Sequence, residues 1–299
     1  MIAVIGATGN VGRALVHRLV AANSPVRALT RDPERAGLPA QAETVRFQLD
    51  DPAALFTGVT RLFVYAHATG PDLLDTARRA GVRHVVLLSS GIIKDSSDDE
   101  THPIHIVHAT AEQHIRDSGL AWTFLRPNAF AANAFQWAPQ IRTGSTVRGV
   151  FANGLTAPIH EDDIAAVAER VLLDDGHEGL AHRLTGPESV SNSEQIAAIG
   201  QALGRPLDFV EVPPGPGRPR TLPARPAPHA RRPAQGLRGH RRRTSGDHHH
   251  GGATHGNPGA HVRRLGRGPR GGLPLIFSAG RHPHPVRSLW AQARTLSPQ

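Results

Sequence analysis

The sequence predicts an α/β fold: a doubly wound parallel sheet with helices on both faces, then a small α/β C-terminal cap, then a disordered basic tail. Three observations predict it. Short apolar runs alternate with amphipathic stretches from residue 2 to about residue 125, with no hairpin turn between them. A glycine-rich turn stands directly between the first apolar run and the first amphipathic stretch. From Gly215 onward Gly, Pro, Arg and His take over, and no apolar periodicity remains beyond Leu273–Phe277.

Residues 2–5 form an apolar run of the kind buried on both faces of a sheet. The turn follows as Gly6-Ala7-Thr8-Gly9-Asn10-Val11-Gly12, with its glycines at a three-by-three spacing. Val11, Leu15 and Leu19, with Val16 and Val20 beside them, then make an apolar stripe at helical period. Ser24-Pro25 leads into a second strand ending at Thr30-Arg31. Strand, glycine turn, helix and strand make half of a dinucleotide-binding Rossmann unit. The glycines allow a tight turn and close approach to a pyrophosphate, while free N–H groups and the positive dipole end of the helix favour its charge. Arg31 stands where an acidic residue would bind the ribose 2′-hydroxyl of NAD. A guanidinium there suits the 2′-phosphate of NADP, so NADP(H) is expected, with NAD(H) as the second possibility. The plainer reading pairs Arg31 with Asp32.

Thr44–Gln48 reads as a third strand, with a short helix ending near Leu55. The strand tip at Leu49 and Asp50 is expected near the adenine; the competing reading makes Asp50 or Asp51 a helix cap. Arg61–Tyr65 is the fourth strand, with Ala66-His67 at its end, and Pro71–Gly81 a helix. His84–Ser89 is the fifth strand, Pro103–Gly119 a helix and Trp122–Leu125 a sixth strand running into Pro127-Asn128. Ligands of such sheets collect at the carboxyl ends of the strands, so Ala66, Ser89 and Asn128 are expected to line one cleft with the glycine turn. Residues 1–128 are thus the cofactor-binding core.

Residues 129–214 read as the smaller, substrate-facing cap. A helix is expected to carry Phe130, Phe135 and Trp137 as core or cleft wall. Ile159–Asp163 opens a helix whose acidic start suits the helix dipole. Leu184–Glu188 reads as a turn, Ser191–Leu203 as a helix capped by Ser191 with Glu194 three residues on, and Leu207–Val212 as a last strand.

The net charge of +9 averages two unlike pieces. Residues 215–299 carry 16 Arg, no Lys and one acid, a net of +15, which leaves residues 1–214 at −6. The tail is expected to be disordered, because its apolar content cannot offset its ordering entropy. Three origins compete for it. It is a nucleic-acid-binding arm, a weak metal-binding His tract at His248-His249-His250, or the product of a frameshift near residue 214. For the last, Gly, Pro, Arg and Ala, whose codons begin with two G/C bases, supply 51 of its 85 residues. With no cysteine, disulfides and thiolate zinc sites are excluded, and no metal site is expected. No apolar run approaches the ~20 residues of a membrane span. The amino terminus lacks a signal peptide's basic flank, so a cytoplasmic location is expected.

Gly-Ala-Thr-Gly-Asn-Val-Gly at 6–12, Leu-Thr-Arg-Asp-Pro at 29–33, Gly-Val-Arg-His-Val-Val at 81–86, Ser-Gly-Leu-Ala-Trp-Thr-Phe-Leu-Arg-Pro at 118–127, Asp-Asp-Ile-Ala at 162–165 and Leu-Thr-Gly-Pro-Glu at 184–188 follow one another in family order. Over residues 1–214 the chain resembles the NmrA-like branch of the atypical short-chain dehydrogenase/reductases. The resemblance implies a Rossmann fold binding NAD(P). It also implies either an NADPH-dependent reductase of quinones or related carbonyls and enones, or a non-catalytic NAD(P) redox sensor. The small-molecule substrate is expected in the cleft at strands four to six.

The Tyr-x-x-x-Lys pair of typical short-chain dehydrogenases is absent: Tyr65 and Lys94 are the chain's single tyrosine and lysine, 29 residues apart. His108-x-x-x-Glu112 stands on one helix face in its place. A carboxylate neighbour would hold a proton on His108 near neutral pH, making it the candidate general acid. The competing reading leaves His102, His105, His108 and His114 mostly solvated.

Overall fold

In the computed structural model the described residues are 1–48, 52–93, 101–214 and 276–278. The core strands are β1 (Ile2–Ile5), β2 (Val26–Thr30), β3 (Glu43–Arg46), β4 (Arg61–Tyr65), β5 (His84–Leu88) and β6 (Ala121–Pro127). Between them lie helices α1 (Asn10–Ala21), α2 (Pro52–Phe56), α3 (Pro71–Arg79) and α4 (Pro103–Asp117), with a 3₁₀ turn at Ala66–Ala68. Beyond β6 come β7 (Ala129–Phe130), a 3₁₀ segment (Ala131–Trp137), α5 (Ala138–Thr143), β8 (Thr146–Gly149), β9 (Leu155–Thr156) and β10 (Pro158–Ile159). Then follow α6 (Glu161–Leu173), β11 (Leu180–Thr185), β12 (Val190–Ser191), α7 (Asn192–Leu203), β13 (Asp208–Glu211) and β14 (Ile276–Ser278).

The main sheet has the order β14-β11-β6-β5-β4-β1-β2-β3, and every neighbouring pair is parallel. Its inner strands β1, β2 and β5 are buried on both faces, as their near-continuous apolar runs require, whereas β3 at the edge is not. One face packs α1 and α6, with Leu15, Leu19, Ile164 and Val171 against Val4 and Val86. The other packs α2, α3 and α4, with Phe56, Leu74 and Ile115 against Leu62 and Leu87. A third, smaller core joins Trp137, Ile141, Val147, Ile196 and Ile199 in the cap.

The doubly wound fold expected from the sequence is therefore present, and the last strand expected at Leu207–Val212 is found as Asp208–Glu211, parallel to β8. Two readings are corrected. Leu184-Thr185 does not sit in a turn but ends β11, which pairs with β6 as a further strand of the main sheet. The helix expected around Phe130–Trp137 is a 3₁₀ segment that becomes α-helical only at Ala138. Of the basic tail only β14 is described, paired parallel to Arg183–Thr185. The Arg clusters and the His248-His249-His250 tract lie outside the described residues.

Candidate active site

The glycine turn is built as its spacing demands. Gly6 takes φ +78°, a left-handed conformation costly for any side chain. A Cβ on Gly12 would lie 2.2 Å from the Gly6 carbonyl oxygen, so α1 packs on the turn only because that position is bare. Gly9 caps α1 with no side-chain hydrogen bond, and the first turn carries no acidic residue. The first N–H groups of α1 thus face outward uncapped, which is an anion site in waiting. Ala7 and Val11 are buried and offer the site only backbone, whereas Thr8, Gly9 and Asn10 are exposed. A dinucleotide pyrophosphate fits this cradle.

Beside it lies the tip of β2. The Thr8 and Thr30 hydroxyl oxygens are 3.4 Å apart, joining the turn to the strand end. Arg31 is exposed and free of the Asp32 pairing that the plainer reading assigned it, because Asp32 faces Arg35 at 3.7 Å. Arg46, at the end of β3, donates to the Arg31 carbonyl at 2.7 Å, and Arg13, just after Gly12, donates to the Gly37 carbonyl at 2.9 Å. Sequence reasoning passed over both arginines, although Arg13 adjoins the glycine motif. Leu49 and Asp50, expected at the adenine, lie outside the described residues.

The carboxyl ends of β4, β5 and β6, where the sequence places the substrate, lie next along the sheet. Tyr65 ends β4 with its ring edge over Gly6: a Cβ placed there would meet it at 3.1 Å. Ala66 is buried in the 3₁₀ turn, and His67 beside it is exposed. Ser89 is only 2% exposed. Its hydroxyl does not open to the cleft but donates to Glu112 Oε1 at 2.7 Å. Arg126 of β6 closes on the same carboxylate from two nitrogens, at 2.9 and 2.7 Å, and Arg116 adds a fourth bond at 3.0 Å. Glu112, fully buried, therefore ties α4 to β5 and β6 through a bidentate, charge-assisted pair.

That network corrects the expected His108–Glu112 partnership. Glu112 is committed to two arginines and a serine, and burial draws the His108 pKa below its ordinary value. Glu112 pulls the other way and His67 adds to the lowering. Burial thus works against the proton that the sequence expected a carboxylate neighbour to favour on His108. Its neighbours on α4 are not idle surface groups either. His102 Nδ1 accepts from the Ile104 N–H at 3.2 Å as a helix cap, and His114 Nδ1 lies 3.0 Å from the Thr69 carbonyl. All three, and His105 with them, are partly buried.

The acidic start of α6 is likewise more than dipole decoration. Glu161 and Asp163 are buried, and Glu161 accepts the Ala132 N–H at 3.0 Å, anchoring the segment after β6. Burial, offset in part by that bond, raises the Glu161 pKa. No group of three or more His, Cys, Asp or Glu among the described residues is arranged to hold a metal. No helix among them is long and apolar enough to cross a membrane.

Comparison with known proteins agrees with this geometry. The chain is 40% identical over 220 residues to the (4-alkanoyl-5-oxo-2,5-dihydrofuran-3-yl)methyl phosphate reductase of Streptomyces griseus, covering 71% of this chain and 77% of that protein. It is 35% identical over 225 residues to the NAD(P)H azoreductase of Xenophilus azovorans, again 71% of this chain and 77% of the relative. The crystal structure of an NADPH-dependent quinone oxidoreductase from Escherichia coli shares the fold, with a TM-score of 0.61 at 24% identity over 71% of this chain and 78% of that one. A family model described as NAD(P)H-binding matches residues 6–175, and the chain belongs to that NAD(P)H-binding family.

Proposed function

We propose that the protein is an NADPH-dependent reductase that passes hydride to a quinone or a related carbonyl or enone. The observation that carries this reading is the uncapped start of α1 behind a glycine turn with no room for a Cβ at Gly12. It is supported by the relatives, which are named as reductases of a furanone phosphate and as an azoreductase. NADPH, when bound, supplies the hydride. The chain's own part is positioning. The α1 N–H groups hold the pyrophosphate, and Arg31 takes the 2′-phosphate. His108, kept neutral by burial, offers an imidazole N–H to the acceptor oxygen as a hydrogen-bond donor. The two stretches outside the main sheet, Ala129–Ile159 and residues 190–212, close the substrate side, in a cytoplasmic protein.

Loss of NADPH absorbance against a panel of quinones, azo dyes and enones tests the proposal. Turnover of at least one acceptor, lowered by about tenfold or more in His108→Ala, is expected. A second reading, a non-catalytic NAD(P) sensor, draws on the missing Tyr-x-x-x-Lys pair and the uncharged His108. Tight NADPH binding with no acceptor consumed would favour it.

A further inference from the structure

The 3₁₀ segment Ala131–Trp137 begins without a cap of its own, because the residue before it is Phe130, whose side chain accepts no hydrogen bond. The first N–H groups of a helix need acceptors from elsewhere. Here one comes from 29 residues further along, where Glu161 Oε1 takes the Ala132 N–H at 3.0 Å. Register brings the two together: β7 and β10 run parallel with Phe130 beside Ile159, and Ala132 and Glu161 each lie two residues on. Glu161 is 4% exposed, and its other oxygen, Oε2, is buried with no donor in reach among the described residues. Charge on an oxygen so placed is costly, which favours the neutral acid. Burial raises the Glu161 pKa accordingly, against the pull of the Ala132 N–H and its own N–H, and Asp162 adds to the rise. His160 turns its Nδ1 to the Asp162 N–H, and Asp163 is buried one turn in. Across the groove beside Asp162 and Asp163, α1 presents Arg13, His17 and Arg18, the last bound to Glu169 at 2.7 Å. Residues 127–137 and 155–159 bring no ionisable side chain.

We propose that Glu161 is a pH-sensitive pin on the stretch Ala129–Ile159: its neutral carboxyl holds Ala132 to the start of α6, and its ionised form lets Ala132 go so that Oε2 reaches water. Glu161 is thereby a positioning residue for the substrate side, which rests on the reductase reading above and deepens it. A group whose pKa is raised by the folded arrangement favours that arrangement fully below its ordinary value of 4.5, and the advantage is lost as pH climbs through the raised one. The pin is therefore tight in acid and loose in alkali. What it releases is the segment carrying Phe135, 40% exposed, and Trp137, which belongs to the cap core.

Hydrogen exchange of the full chain at pH 5 and pH 8.5, corrected for the intrinsic rate and read by mass spectrometry over residues 131–137, is the test. Protection there is expected to fall by about tenfold at the higher pH. Glu161→Gln keeps an oxygen for the Ala132 N–H and cannot ionise, so its protection should be the same at both. Glu161→Ala should be poorly protected throughout. Protection in the parent that ignores pH, or a fall that survives in Glu161→Gln, overturns the pin. With a quinone that is consumed, KM should rise with pH in the parent and stay level in Glu161→Gln, while the NADPH Kd is the same in both. A panel with no acceptor consumed sinks the reductase reading, and the exchange data still decide the pin, so the two failures are told apart.

Discussion

Glu112 shows how much one side chain carries in this protein. It is fully buried and accepts four hydrogen bonds, three of them from arginines. The ion pair need not be more stabilising than an apolar substitute of the same shape, but removing one partner strands the other. Glu112→Ala would leave Arg126, 7% exposed, charged and without its bidentate acceptor. Urea unfolding is expected to show a loss of about 3–5 kcal/mol, with a smaller loss in Glu112→Gln. A second buried polar group lies toward the opposite edge of the sheet. His84 Nε2 is 2.9 Å from Thr123 Oγ1, that hydroxyl donates to the His177 carbonyl, and His177 Nδ1 lies 3.3 Å from His182 Nε2. Burial, helped by His177, pulls the His182 pKa from 6.5 to about 4, and burial lowers His84 too. In the unfolded chain these imidazoles take up protons near pH 6.5, whereas the folded chain resists until lower pH. Their contribution to stability is therefore complete above pH 6.5 and lost as pH falls toward 4, by up to about 3 kcal/mol for His182. Unfolding free energies at pH 7 and pH 5 should differ less in His182→Gln than in the parent; an unchanged difference would count against this account.

The glycine turn and α1 are the elements whose role was most legible in the sequence, because backbone geometry dictates glycine directly. Gly12→Ala sets a methyl group against the Gly6 carbonyl at 2.2 Å, where backbone cannot yield cheaply. NADPH affinity should fall at least tenfold by calorimetry, since any shift of α1 displaces the pyrophosphate donors. The α7 start was equally readable: Ser191 Oγ accepts from the Glu194 N–H at 3.2 Å and Glu194 reaches back to the Ser191 N–H at 2.7 Å, a complete capping box. β11 was not legible, for a physical reason. Its inward positions are His182 and Leu184, so the polar histidine cluster interrupts the apolar alternation that marks a strand. The site was legible to the same degree as its chemistry was local. Spacing along one helix suggested His108 with Glu112, yet the carboxylate is claimed by Arg126 from a strand fourteen residues on, a partner that only the sheet brings near. Arg46 escaped notice similarly, because its neighbour Arg31 belongs to another strand.

At the scale of the whole molecule, cofactor binding and stability are one equilibrium. A ligand that binds only the folded chain, at a hundred times its Kd, adds about 2.7 kcal/mol. NADPH should thus raise Tm by several degrees in scanning calorimetry, with a smaller rise for NADH at equal concentration. The chain path makes a further point. After β6 the backbone leaves the sheet for Ala129–Ile159, returns through α6 and β11, and leaves again for residues 190–212. The two excursions meet in strand pairs β9–β12 and β8–β13 and in one small apolar core. Each begins at the carboxyl edge of the sheet, and neither carries the register of the main sheet. Residues there can be inserted, shortened or exchanged while β1 to β6, α1 and α6 keep their packing. Under the function proposed above, the wiring separates what gives the electrons from what receives them. Over generations such a protein can change its acceptor by rewriting two stretches of chain and leave the electron donor's seat untouched.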